Sequence, residues 1–309
     1  MSEILSSEQK NAINQRIISI VNIASKCGQA ISLKAISLML AQKLSEKEIL
    51  SIIQNNLNFA TRFSLEKGFV VQKGYEHLFS ERKARAKVSR EYFQVAELFF
   101  MKLARKNSSV KLAAVCGSVA YGSAKASDDI DLFIIAGKNR LWLVFFKALL
   151  LARIYNMKAA LAGRKADFCL SYMQDEFEFE REMQRKTPLL AREFLSITVT
   201  FGRDFYRTLL VKAKWMRGIF PRLTAQKLSE NEQNDFSYNH QESIVPLQDA
   251  LNMMVYVFLG RYLMFKAFIR NLGFRKHLRN NEVFEAKITK GSCVYNSMRY
   301  KELEKMYKL

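Results

Sequence analysis

The run Val115 to Ile135, VCGSVAYGSAKASDDIDLFII, carries two glycines, a hydroxyl and clustered carboxylates at spacings that chemistry would use. Leu112 to Cys116 is a short apolar run that stops at Gly117-Ser118. A strand ending at a glycine before small residues predicts a sharp turn into a helix. Such a turn leaves backbone N–H groups free. With the positive end of a short helix over Ser118 to Ser123 they suit a polyphosphate, and Gly117 and Gly122 permit close approach. Ser118 adds a hydroxyl, and Lys125, in the loop that follows, joins these as a nucleotide-binding candidate. Asp128-Asp129-Ile130-Asp131-Leu132-Phe133-Ile134-Ile135 then predicts a second strand that opens in acid and closes in apolar core. Side chains alternate across a strand, so Asp129 and Asp131 share one face and Ile130 and Leu132 the other. Two carboxylates that close repel unless a cation offsets them. Hard oxygen ligands beside a polyphosphate suit Mg²⁺ better than zinc.

This segment resembles the signature of the DNA polymerase beta-like nucleotidyltransferase superfamily: a Gly-Ser pair, a second glycine, then Ser-Asp-x-Asp entering a strand. Gly117, Ser118, Gly122, Asp129 and Asp131 fall on the matching positions. One departure is that Asp128 stands where serine is usual, with Ser127 displaced by one. The resemblance implies two Mg²⁺ ions and transfer of a nucleoside monophosphate from a triphosphate such as ATP, with pyrophosphate leaving. It also implies a third carboxylate from a later strand. The candidate is Asp167 in Lys165-Ala166-Asp167-Phe168-Cys169-Leu170-Ser171-Tyr172. The chain as a whole, including Lys138-Asn139-Arg140-Leu141-Trp142-Leu143, is similar to a group of uncharacterised prokaryotic nucleotidyltransferase-domain proteins.

With 309 residues, 49% hydrophobic and 12% aromatic, the chain has ample material for a buried core across two or three small domains. Only 3 prolines and 12 glycines point to a helix-rich protein. Cys27, Cys116, Cys169 and Cys293 are scattered, which suggests neither a disulfide framework nor a zinc site and fits a reducing compartment. The N-terminal stretch lacks a signal-peptide pattern, so a cytoplasmic location is expected. Ala250 to Ile269 is the most membrane-like segment, but Gly260-Arg261 and Lys266 break it, and it reads as a buried helix; no membrane partner is expected. The net charge of +20 raises the prospect of a polyanionic partner. Its excess is spread as +6, +6 and +8 over residues 1–88, 89–175 and 176–309, so it is no basic tail.

Working outward, Ile13, Ile17, Ile20, Val21 and Ala24 predict an amphipathic helix over residues 8–26, and a second helix is expected from Ser32 to Gln42. Ser45-Glu46-Lys47-Glu48 has the capping-box pattern of a third, with Ile49, Ile52, Ile53 and Leu57 on its apolar face. Phe63 to Gln72 alternates around Lys67-Gly68 as a hairpin would. Three helices and a hairpin outline a winged helix over residues 1–88. Glu46 and Glu48 at the start of the third helix would repel phosphates, which favours a structural or partner-docking role over duplex reading. Arg82, Lys83, Arg85, Lys87 and Arg90 read as a solvated helix face.

Residues 89–175 form the expected catalytic core: helix Arg90 to Lys106, strand, turn, acidic strand, helix Asn139 to Ile154 with Trp142, Phe145, Phe146 and Leu149 as core, and a further strand. Beyond Tyr172 strand signals nearly vanish. Residues 176–309 are expected to be helical, with helices over Glu178 to Val199, over Phe205 to Trp215 and from Leu247, and a loop over Glu230 to Glu242. Arg203 to Lys227 contains seven Lys/Arg against Asp204 alone, and Arg261 to Arg279 six with no acid. Either cluster would suit a triphosphate or an RNA backbone, though solvated lysines are the ordinary explanation.

The expected fold class is therefore α+β: a nucleotidyltransferase core with a small mixed sheet, an N-terminal winged-helix-like domain and a C-terminal helical domain. The expected function is Mg²⁺-dependent nucleotidyl transfer to an acceptor hydroxyl on a nucleic acid, a protein or a small molecule. The contrasting expectation is a non-catalytic nucleic-acid-binding protein with a lapsed transferase domain.

Overall fold

The computed structural model describes residues 6–105, 109–161, 167–230, 246–276 and 284–307. The chain opens with α1 (Ser7–Lys26), started by a capping box between Ser6 and Gln9, and it buries Ile13, Ile17, Ile20, Val21 and Ala24. After β1 (Ile31–Ser32) come α2 (Leu33–Met39), α3 (Glu46–Asn55) and α4 (Leu57–Arg62). Ser45 and Glu48 form the capping box of α3, and Ile49 and Ile53 are its buried residues. Leu57 does not extend that face: Asn56 ends α3 and caps α4, leaving Leu57 exposed. The hairpin β2 (Phe63–Glu66) and β3 (Phe69–Gln72) turns on Lys67 and Gly68, both at positive φ, the geometry that matches the twist of paired strands. The three strands lie in the antiparallel order β1-β3-β2.

α5 (His77–Arg105) is one helix that passes through residue 88. Arg85 on it is not part of a solvated face. It is buried, paired with Glu81, and donates from Nη1 to Gly28 O at 3.2 Å and Ser123 O at 3.3 Å. Ser89, one turn on, accepts from Ala124 N at 3.0 Å. α5 thus braces the segment just after the Gly-Ser turn.

The remaining elements are β4 (Val110–Val115), α6 (Gly117–Ala120), β5 (Ile130–Ala136), α7 (Leu141–Leu161), β6 (Phe168–Asp175), α8 (Glu176–Met183), α9 (Pro188–Ser196), β7 (Thr198–Phe201), α10 (Arg203–Lys212), α11 (Lys214–Ile219), α12 (Pro221–Glu230), α13 (Pro246–Val255), a π-helical turn Tyr256–Gly260, α14 (Arg261–Lys276), β8 (Phe284–Thr289), β9 (Ser292–Ser297) and α15 (Met298–Met306). They build a mixed six-stranded sheet in the order β7-β4-β5-β6-β9-β8, in which β5 and β6 are the parallel pair. The fold is α+β, with this mixed sheet and the small three-stranded one.

Strands do not vanish after residue 172: β7, β8 and β9 supply half of the larger sheet. The expected helix over Glu178 to Val199 breaks because Thr187 caps a new helix with Pro188 at its first turn, and Thr198-Val199-Thr200-Phe201 leaves that helix to pair with β4.

Alternating residues of β5 feed two cores. Ile130, Leu132, Ile134 and Ala136 pack with α5 and α7, and Phe133 and Ile135 pack with α8 and α9 in a core that continues into the N-terminal helices. Trp142 is fully buried; its backbone N–H donates to Asn252 Oδ1 at 2.9 Å and its indole N–H to Thr289 O at 3.1 Å. Phe146, by contrast, points to solvent. The stretch Ala250 to Ile269 is not a buried helix either: Asn252 and Gly260 are its buried residues, whereas Met254, Phe258, Phe265 and Phe268 are exposed. Among the described residues, no helix is long and apolar enough to cross a membrane.

Candidate metal and nucleotide site

β4 ends at Val115, and the chain turns at Gly117 into the single helical turn α6. Cys116 N–H donates to Asp131 O at 3.0 Å, so the turn is tied to the opening of β5. Gly117 has φ +63. A Cβ there would fall on Asp131 Oδ2 and lie 3.1 Å from Asp131 Cγ, so glycine is needed for both conformation and space. Gly122 also has positive φ, but open space surrounds the place a Cβ would take. Ser118 O accepts from Ser123 N at 2.9 Å, closing the turn on itself. Lys125 is exposed, and its N–H donates to Asp128 Oδ2 at 2.9 Å while Asp128 N–H returns a bond to Lys125 O at 3.0 Å. Asp128 closes the loop that delivers Asp129.

Asp129 and Asp131 come together with Cys169, one ligand atom of each lying within 4.8 Å of the others. Cys169 is there because β5 and β6 are parallel with Asp131 opposite Cys169. Asp167 is not in this group. It precedes β6, and its carbonyl accepts from Ile130 N at 2.8 Å. The strand position beside Asp131 holds a thiol where the resemblance implied a carboxylate. Sequence reasoning missed Cys169; the only signal for it was its place two residues past Asp167 on the next strand.

Burial and like charge dominate the electrostatics of Asp131. Burial, and then the neighbouring Asp129 carboxylate, push the Asp131 carboxyl up to about 7, although a hydrogen bond with Cys169 works the other way. Burial and the same two carboxylates push the Cys169 thiol up. Cys116, buried against Asp131, is also raised, by burial first. Each group would be relieved by a divalent cation. The donor set fits one: two carboxylates suit Mg²⁺ or Mn²⁺, and the sulfur adds affinity for softer ions.

The pair opens on a cavity of about 750 Å³. Phe145, Leu149 and Arg153 of α7, Cys169 and Ser171 of β6, Lys266 and Arg270 of α14, and Tyr295 of β9 are among its lining residues. Its lining brings the two carboxylates together with apolar side chains and with the exposed cations Arg153, Lys266 and Arg270. Lys266 and Arg270 belong to the second basic cluster of the sequence; the side chains of Arg275, Lys276 and Arg279 lie outside the described residues. On the other side of the turn, Tyr121 OH donates to Glu193 at 2.6 Å, and the buried Arg192 guanidinium lies 5.2 Å from the Tyr121 ring. Comparison with protein-family models, with curated proteins and with solved structures gives no match.

Proposed function

We propose that the protein is a metal-dependent nucleotidyltransferase that moves a nucleoside monophosphate from a triphosphate to an acceptor hydroxyl. The observation that carries this reading is the convergence of Asp129 and Asp131 in the lining of the cavity, directly beside the Gly117 turn. Asp129, Asp131 and Cys169 would hold the cation. A bound divalent cation supplies neutralisation of phosphate charge. Gly117 and Ser118 would present backbone N–H groups to the phosphates, and Lys266, Arg270 and Arg153, which line the same cavity, would add positive charge. Phe145, Leu149 and Tyr295 offer apolar surface of the kind a base or sugar packs on. In the transfer, the acceptor hydroxyl gives up its proton to water and its oxygen bonds to the α-phosphorus, the bond from that phosphorus to the bridging oxygen breaks, and pyrophosphate carries the electron pair away.

The antiparallel order β1-β3-β2 alongside α1, α2 and α3, with the short α4 added before the hairpin, supports a winged-helix reading of the N-terminal unit. The mixed sheet with the turn between β4 and β5 supports a nucleotidyltransferase core. A second reading, a lapsed transferase that only binds nucleotide or nucleic acid, is favoured by one observation: Cys169 stands where a third carboxylate would be expected.

The test is to incubate the purified protein with each α-labelled triphosphate and Mg²⁺ or Mn²⁺, against a cell extract separated into RNA, protein and small-molecule fractions. Label in one fraction with release of pyrophosphate is expected. Nucleotide binding without label transfer under either metal would establish the second reading instead.

A further inference from the structure

We propose that the outer face of α13 and α14 is a docking surface for an anionic lipid bilayer, on which the protein lies without crossing it. Leu251, Met254, Phe258, Tyr262, Phe265 and Ile269 recur at three- and four-residue steps, and all six are exposed. The pattern runs unbroken through the π-helical turn, and Phe258 and Phe265 are 73% and 63% exposed. α7, which α13 caps through the Asn252 bonds, repeats the device: Phe146, Leu150, Ile154, Met157 and Leu161 follow the same steps and are also exposed. A helical stripe of large apolar side chains ordinarily faces a core, and one that faces water marks a contact surface.

Charge selects the occupant. Residues 141–161 and 250–276 contain no Asp or Glu, and Asp249, in the first turn of α13, is already paired with Arg140. Lys147, Lys158 and Arg261 are exposed cations of these helices that do not line the cavity. A second copy of the chain would bring cations against cations with no acid between them. A nucleic-acid backbone would meet the cations but would leave the phenylalanines and methionines against phosphate. An anionic bilayer satisfies both, taking the apolar stripe into the boundary of its acyl chains and the cations at its headgroups.

The experiment is sedimentation of the full chain with vesicles of phosphatidylcholine alone or mixed with phosphatidylglycerol, at low and high salt. Binding to the mixed vesicles, weakened at least about tenfold by omitting phosphatidylglycerol or raising salt, is expected. The double variant Phe258→Ser/Phe265→Ser should bind at least about tenfold more weakly. Phe177→Ser, an equally exposed phenylalanine on α8, should bind as the parent does. Circular dichroism of each variant separates lost docking from lost folding, and Phe258→Leu/Phe265→Leu should retain binding. Equal binding by parent and serine variant, or no binding to mixed vesicles, overturns the proposal. A dimer in sedimentation equilibrium that the serine variant dissociates, with no vesicle binding, assigns the face to a second copy instead.

Discussion

The turn between β4 and β5 and the outer face of α13 and α14 are both exceptions to ordinary burial, in opposite senses. At the turn, the Asp131 carboxylate is drawn into low dielectric; on the helices, phenylalanines are left in water. In the first region the backbone is anchored from several sides, by Cys116 to Asp131, by Ser123 to Arg85 and by Ala124 to Ser89. In the second, the outward side chains rest on nothing described. The contrast separates residues held for chemistry, whose cost is borne by the surrounding fold, from residues held for contact, whose cost is borne until something covers them.

Asp131→Asn is expected to break the first region most sharply. Transfer should fall by about a thousandfold, equivalent to about 4 kcal/mol of transition-state stabilisation, because a ligand carboxylate is lost. Metal-free stability should move the other way. The folded carboxyl titrates at about 7 against an ordinary 3.8, so the folded state keeps a proton that the unfolded chain has released. Stability is therefore greatest below that ordinary value and declines as pH rises through the window up to about 7. By pH 8 the ionised Asp131 costs at most about 4 kcal/mol. The asparagine variant should lose that slope and melt higher than the parent at pH 8, measured in EDTA; an unchanged slope would remove Asp131 as its source.

Gly117→Ala and Gly122→Ala form a matched pair with a smaller effect. Both force alanine into positive φ, at about 1–2 kcal/mol of stability. Gly117→Ala alone collides with the Asp131 carboxylate, so nucleotide affinity and transfer rate should drop at least about tenfold further than in Gly122→Ala. Equal kinetics for the two would show that the turn needs glycine for conformation only.

Arg85→Met keeps the stem of the side chain and removes the bonds to Gly28 O and Ser123 O. About 2 kcal/mol of stability should be lost, with the exposed Glu81 contributing little of it. Faster amide exchange at Gly122 to Ala124 than elsewhere in the chain would mark the brace as local; uniform exchange would mark it as global.

The smallest effect belongs to the helices. Phe258→Ser should change unfolding stability by no more than about 0.5 kcal/mol, whereas Phe133→Ala in the core should cost about 3–5 kcal/mol. A loss above about 1 kcal/mol at Phe258 would mean that the outer face contributes to folding, and the comparison would fail.

These differences also explain what was legible in the sequence. Gly117, Asp129 and Asp131 could be read because turn and strand geometry bind chemistry to fixed spacings over a few residues. Cys169 could not be read, since its place depends on which strand lies beside β5 and in what register, with an irregularity between the Asp131 and Phe133 pairings. β7 escaped notice because its four residues gain their meaning from β4, more than eighty residues earlier. The apolar composition of 250–269 signalled a helix with little affinity for water but carries no information about whether protein or something else covers it, so burial was the wrong inference there. Leu57 erred for a local reason, the competition of Asn56 as a cap.

The missing methyl group at Gly117 has one more consequence. Because the turn backbone and the Asp131 carboxylate occupy adjoining space with no slack, fixing the carboxylate on the cation of the proposed function would also fix the peptide proposed to face the phosphates. Occupancy of the two proposed subsites would then be heterotropically cooperative. By linkage, whatever factor the cation lends to triphosphate affinity the triphosphate must return to the cation, and a bulkier residue at position 117 would erase both at once.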